Sequence, residues 1–208
     1  MKIALIGASG YVGTSLLREA LARKHELVAI VRGTKPPKLH DARLQWARGD
    51  ATDPAVLASL VEGQDVVISA FNPALDPAGT GVRGIVEGVK RAGVSRFLVV
   101  GGAGSLQLAD GTRVMDQPDF PAQWKAGAAR TAAFLDLLRD EKELDWVFLS
   151  PASILVPGER TGHYRLGHDA LLVDGKGESR ISLEDYAMAM LDEAENPRHH
   201  RERFTVAY

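Results

Sequence analysis

Three glycines, Gly7, Gly10 and Gly13, with the spacing G-x-x-G-x-x-G, are the residues of this sequence best suited to do chemistry. They follow a short apolar run, Ile3 to Ile6, and precede Val12 to Leu21, where Val12, Leu16, Leu17 and Leu21 recur near helical spacing. One glycine in such a turn permits the tight reversal, one lets a phosphate approach the backbone, and one allows close helix–strand packing. The helix start adds free N–H groups and a partial positive charge. Gly7, Ser9, Gly10, Tyr11, Val12 and Gly13 are therefore expected to hold the pyrophosphate of a dinucleotide. About 20 residues further on, a site selective for NAD usually carries an acid for the ribose 2′-hydroxyl. Here that stretch reads Ala29-Ile-Val-Arg32, with a base and no acid. Arg32 is expected to pair with a 2′-phosphate, which favours NADP(H) over NAD(H).

Other reactive groups are fewer. Ser105 follows an apolar run and could orient a substrate carbonyl by hydrogen bonding, but no His and Asp accompany it in the manner of a hydrolase triad. His163, Tyr164 and His168 fall in an irregular stretch, and their spacing makes no zinc motif. With no cysteine in the chain, thiolate metal sites, disulfides and a cysteine nucleophile are all excluded, and no metal is expected.

These groups need elements to position them. The 208 residues suit one α/β domain, and 45% apolar with 25% charged residues is an ordinary globular balance. A net charge of -2 argues against nucleic acid or a membrane surface as partner, and no run approaches the length of a membrane span. The start of the chain enters a strand directly and shows no signal-peptide pattern, so the cytoplasm is the expected location. Strands are expected at Ile3 to Ile6, Leu27 to Val31, Leu44 to Ala47, Asp65 to Ala70, Arg96 to Val100 and Asp145 to Leu149. Helices are expected between them at Val12 to Leu21, Pro54 to Val61 capped by Asp53, Gly81 to Ala92, and Ala122 to Leu138. A last helix should start after Ser182, with short strands near His163 to Leu166 and Phe204 to Ala207. This alternation predicts a doubly wound, Rossmann-type parallel sheet with helices on both faces, in a single three-layer domain over 1–208. Residues from about 151 to 208 are expected to extend the sheet and supply the substrate side.

With the glycine turn, Arg32, Gly49-Asp50, Ser69-Ala-Phe-Asn72, Val99-Val-Gly-Gly-Ala-Gly-Ser105, Leu144 to Ala152, Pro157 to Gly162 and Ile181 to Ala187 in view, the chain resembles the atypical short-chain dehydrogenase/reductases. It is most similar to the NmrA-like proteins and the NADH-flavin reductase group, with biliverdin reductase B as a relative. The resemblance implies that Asp50 and Ala51 face the adenine, and that Ala70, Phe71 and Asn72 line the ribose and pyrophosphate. It places Gly101, Gly102, Ala103, Pro151, Ala152 and Ser153 along the nicotinamide. One departure matters. Many short-chain reductases use Tyr-x-x-x-Lys, yet no tyrosine here has a lysine four residues later, and Pro121 stands four before Lys125. Lys125 is left with a ribose or substrate contact. The reading is an NADPH-dependent reductase that passes hydride to a small planar acceptor such as a flavin or quinone, with Ser105, Tyr164 or solvent supplying any proton. The alternative is a non-catalytic NADP(H)-binding sensor. Either is expected as a monomer or homodimer.

Overall fold

Short apolar runs with no room for a helix become strands here, and the longer amphipathic runs between them become the crossovers. A computed structural model describes residues 1–33 and 39–208. The chain runs β1 (Lys2–Ile6), α1 (Tyr11–Ala22), β2 (Glu26–Val31), β3 (Leu44–Arg48), α2 (Pro54–Val61), β4 (Val66–Ser69), α3 (Thr80–Arg91) and β5 (Arg96–Val100). It continues with α4 (Ala122–Asp140), β6 (Asp145–Pro151), β7 (Ile154–Val156), β8 (Arg165–Gly167), β9 (Arg180–Ser182), α5 (Leu183–Glu195) and β10 (Glu202–Ala207). The main sheet has the order β3-β2-β1-β4-β5-β6-β10-β8, and only β8 is antiparallel, lying along β10. The expected doubly wound α/β sheet is therefore present, with the last part of the chain adding two strands at its far edge.

Alternation of side chains divides the core in two. Ile3 and Leu5 of β1 pack with Leu16, Leu17 and Ala20 of α1 and with Tyr186, Met190 and Leu191 of α5. Ala4 and Ile6 face the other way, toward Leu57 of α2, Ile85 and Val89 of α3, and Phe134 and Leu138 of α4. Burial on both faces explains why these strands read as unbroken apolar runs.

The helix starts follow local chemistry. Asp53 accepts from the amides of Ala55 and Val56, with Pro54 at the first position, and Ser182 accepts from the Asp185 amide. The strand expected at His163 to Leu166 lies slightly later, at Arg165–Gly167. The two-stranded parallel ribbon of β7 and β9 has no sequence signature, because its three-residue strands are too short to show a period. Among the described residues no helix is long and apolar enough to cross a membrane.

Candidate dinucleotide cleft and adjoining chamber

Strand order reverses beside β1, because β2 and β3 lie on one side of it and β4 onward on the other. Crossovers leave this point in opposite directions, so the carboxyl ends of β1 and β4 open a crevice. A cleft of about 400 Å3 occupies it. Gly7, Ser9, Gly10, Tyr11 and Val12 form its floor; Ile30, Val31 and Arg32 of the β2 end form one side, and Ala70, Phe71 and Asn72 the other.

The glycine turn has the geometry its spacing implies. Gly7 has φ of +79°, and a Cβ there would lie 2.7 Å from the Ala70 carbonyl oxygen, so conformation and crowding both require glycine. A Cβ on Gly13 would come within 2.1 Å of the Gly7 carbonyl oxygen, which shows how closely α1 sits on the turn. The Gly10 carbonyl accepts from the Thr14 amide, and the Gly10 amide donates to Gly7. Among the described residues nothing accepts from the amides of Tyr11, Val12 or Gly13, and α1 has no side-chain cap. Unpaired donors at a helix start, with Tyr11 and Val12 on the lining of an open cleft, suit a phosphate group. Among the described residues, Arg32 is the only charged side chain lining this cleft, and it is exposed. The residues present thus fit a nicotinamide dinucleotide: amide donors for the pyrophosphate, a cation at Arg32, and Ile30 and Phe71 as apolar walls.

A second chamber of about 410 Å3 adjoins the first, and Thr131 of α4 lines both. Gly102, Ala103, Gly104 and Ser105 form one wall of it and Trp124, Gly127 and Arg130 of α4 another. Arg130 Nη1 donates to the Ala74 carbonyl oxygen at 2.5 Å, and a Cβ on Gly127 would lie 2.9 Å from the Ala74 Cβ. These contacts hold the turn after β4 against α4. The Thr131 hydroxyl donates back to the Gly127 carbonyl at 3.0 Å. Of the helix positions four apart, Gly127 and Thr131 therefore face the junction, while exposed Lys125 lies outside both linings.

Several expected site residues sit elsewhere. The Tyr164 hydroxyl donates to Asp192 of α5 in a separate small hollow, next to Arg23 at the other end of α1. Burial, reinforced by that carboxylate, pushes its pKa well above the usual phenol value. Tyr164 is thus corrected: it is not part of either chamber. Asp50 accepts from the Thr52 amide and hydroxyl, both at 2.9 Å, so it closes a turn while its neighbours Gly49 and Ala51 line the cleft. Those two bonds, with Arg32 and Arg48 nearby, hold its carboxyl below the usual range. Pro151 and Ala152 are buried, and the exposed Ser153 donates its amide to the Ser179 hydroxyl at 3.1 Å; none of the three lines a chamber. Gly101 lines the first chamber, and Gly102, Ala103 and Ser105 line the second. Thr131 and Arg130 were missed, because nothing in a helical pattern marks which face meets a cleft. Arg203 was missed too, because in the sequence it closes the charged run Arg198 to Arg203, and only its place in β10 buries it.

Comparison with known proteins agrees with this geometry. A family model described as NAD(P)H-binding matches residues 7–197. The uncharacterized protein YwnB of Bacillus subtilis is 41% identical over 99% of this chain and 98% of its own length. A structure from Bacteroides thetaiotaomicron, named a candidate epimerase, is 50% identical with a TM-score of 0.95, covering 100% of this chain and 96% of that one. Another from Streptococcus pneumoniae, named a candidate NADH-flavin reductase, is 37% identical with a TM-score of 0.87, covering 100% and 99%. With its glycine turn, reversed strand order and matched length, the chain belongs to the NAD(P)H-binding family.

Proposed function

We propose that this protein is an NADPH-dependent reductase that passes hydride to a small planar acceptor such as a flavin or quinone. The observation that carries the reading is the meeting of two chambers at Thr131. One is shaped for a dinucleotide; the other is lined mainly by small residues and Trp124. A reduced nicotinamide bound in the first would supply two electrons and a proton as hydride, and the acceptor would take one further proton from solvent or a hydroxyl. The chain's own part is to hold both partners in contact and keep the junction free of bulky side chains. The name of the pneumococcal relative supports an acceptor of the flavin kind. On this reading the residues from about 151 to 208 contribute the substrate side through β10, whose Arg203 reaches the second chamber's wall.

The Bacteroides relative's name raises an epimerase instead. Such chemistry on a sugar commonly needs a tyrosine base beside the nicotinamide. None of the four tyrosines here lines the second chamber: Tyr11 lies at the glycine turn and donates to the Leu155 carbonyl, while Tyr164 donates to Asp192, Tyr186 to the Leu149 carbonyl and Tyr208 to Asp185. A non-catalytic NADP(H) sensor remains the second reading, because the cofactor cleft alone would satisfy it. One experiment separates the reductase from the sensor: NADPH binding by fluorescence, followed by NADPH oxidation against FMN, FAD and menadione. Turnover of at least one acceptor is expected. Tight binding with no turnover on any of them overturns the reductase reading, and absence of NADPH binding removes both.

A further inference from the structure

Ser105 has a partner that the reductase reading does not use. Arg203 lies in β10, 98 positions away in sequence, and Nη1 donates to both the carbonyl oxygen of Ser105, at 3.0 Å, and its hydroxyl oxygen, at 2.9 Å. The guanidinium is buried, with 3% of its side chain exposed, and Nε donates to Asp169 at 2.8 Å. A buried cation that accepts no hydrogen bond can only donate. Its bonds to Ser105 therefore occupy oxygen lone pairs and leave the hydroxyl proton free. Among the described residues nothing accepts that proton, and Ser105 lines the second chamber.

The loop does not need Arg203 for its path. The Gln107 amide donates to the Asp169 carbonyl at 2.8 Å, the Leu171 amide to the Gln107 carbonyl at 2.8 Å, and the Val114 amide to the Leu106 carbonyl at 2.9 Å. The backbone already joins the two segments. The forked contact adds orientation of one hydroxyl and a positive charge that polarises its O–H bond.

We infer that Arg203 is a positioning residue, held by Asp169, that aims the Ser105 hydroxyl into the second chamber as a hydrogen-bond donor to an acceptor with a conjugated carbonyl oxygen. The inference rests on the reductase reading and deepens it by naming what the acceptor must present. The test uses the full chain saturated with NADP+, which cannot reduce a probe, and titrates FMN or menadione by quenching of tryptophan fluorescence; Trp124 lies at the chamber. Loss of one neutral hydrogen bond predicts a ~3–10-fold weaker probe Kd for Ser105→Ala. Arg203→Met should show the same loss, and the double variant no more than the larger single one. Arg203→Lys retains the charge but not the fork and gives the same result, should Arg203→Met fail to fold. Ser105→Thr, which keeps the hydroxyl, should restore binding. Independent losses that multiply in the double variant would mean that Arg203 only holds loops, and would overturn the inference. An unchanged Kd in Ser105→Ala overturns it as well, as does a wild type that binds NADP+ but neither probe. Failure to bind NADP+ instead removes the cofactor reading beneath it.

Discussion

On the proposed function Arg32 pairs with the 2′-phosphate of NADPH, and the effect of its substitution can be followed quantitatively. Among the described residues it is the sole charged side chain lining the dinucleotide cleft, and it has no ion-pair partner within contact distance there. A charge-assisted hydrogen bond contributes ~1.5–3 kcal/mol, and solvent exposure places Arg32 at the low end. Arg32→Ala should therefore weaken NADPH binding by ~10–30-fold, while NADH, offering a neutral 2′-hydroxyl, should change by less than ~3-fold. Arg32→Glu adds repulsion worth ~1 kcal/mol per unit charge near 4 Å in a water-like dielectric, which brings the NADPH loss to ~100-fold. Asp50 supplies an internal control, because its carboxylate already sits close enough to interact with Arg32. Asp50→Asn should tighten NADPH slightly and leave NADH alone. Raising ionic strength from ~0.01 to ~0.15 M shortens the screening length from ~30 to ~8 Å and should narrow all these differences. The assay is nucleotide fluorescence titration of each variant with both cofactors. Equal losses for NADPH and NADH in Arg32→Glu, or no loss at all, refute the assignment of Arg32 to the 2′-phosphate.

Two further variants probe the scaffold. Gly13→Ala places a Cβ 2.1 Å from the Gly7 carbonyl oxygen and 3.1 Å from the Ala8 Cα, all backbone, so α1 must lift from the turn. A cost of ~1–3 kcal/mol, visible as a lowered Tm, and loss of measurable NADPH binding are expected; unaltered affinity would show that the turn does not hold the pyrophosphate. Asp185 is fully buried yet receives bonds from the Thr161 hydroxyl at 2.6 Å, the Gly162 amide at 2.9 Å and Tyr208 at 2.8 Å. Burial alone would raise its pKa, but these donors outweigh that and hold it below the usual 3.8. A depressed carboxylate stabilises the fold fully above its unfolded pKa, and the contribution fades as pH falls through the folded value. Asp185→Asn should thus lose ~2–4 kcal/mol in urea unfolding near pH 7 and show a gap from wild type that shrinks toward pH 3. A gap independent of pH would remove the ionised carboxylate from the account.

The local features of this protein are legible in its sequence because each depends on residues a few positions apart. Gly7 needs a positive φ, Asp53 and Ser182 need amides two or three residues on, and the apolar runs need only their period. The same locality shows the dinucleotide turn and the base at Arg32. Distant contacts follow no such rule. Tyr164 lies in the irregular region that borders the site in sequence, yet packing turns its hydroxyl to Asp192 and away from both chambers. The second chamber exists only because Gly102 to Ser105, the turn at Ala74 and the Gly127–Thr131 face of α4 converge. Arg203 meets Ser105 only because β10 joins the sheet beside β6. Spacing determined where a dinucleotide could be held, because a phosphate cradle is built from one turn and the helix it starts. What stands across from it was decided by the packing of α4 and β10 on the sheet, which no short stretch of chain encodes.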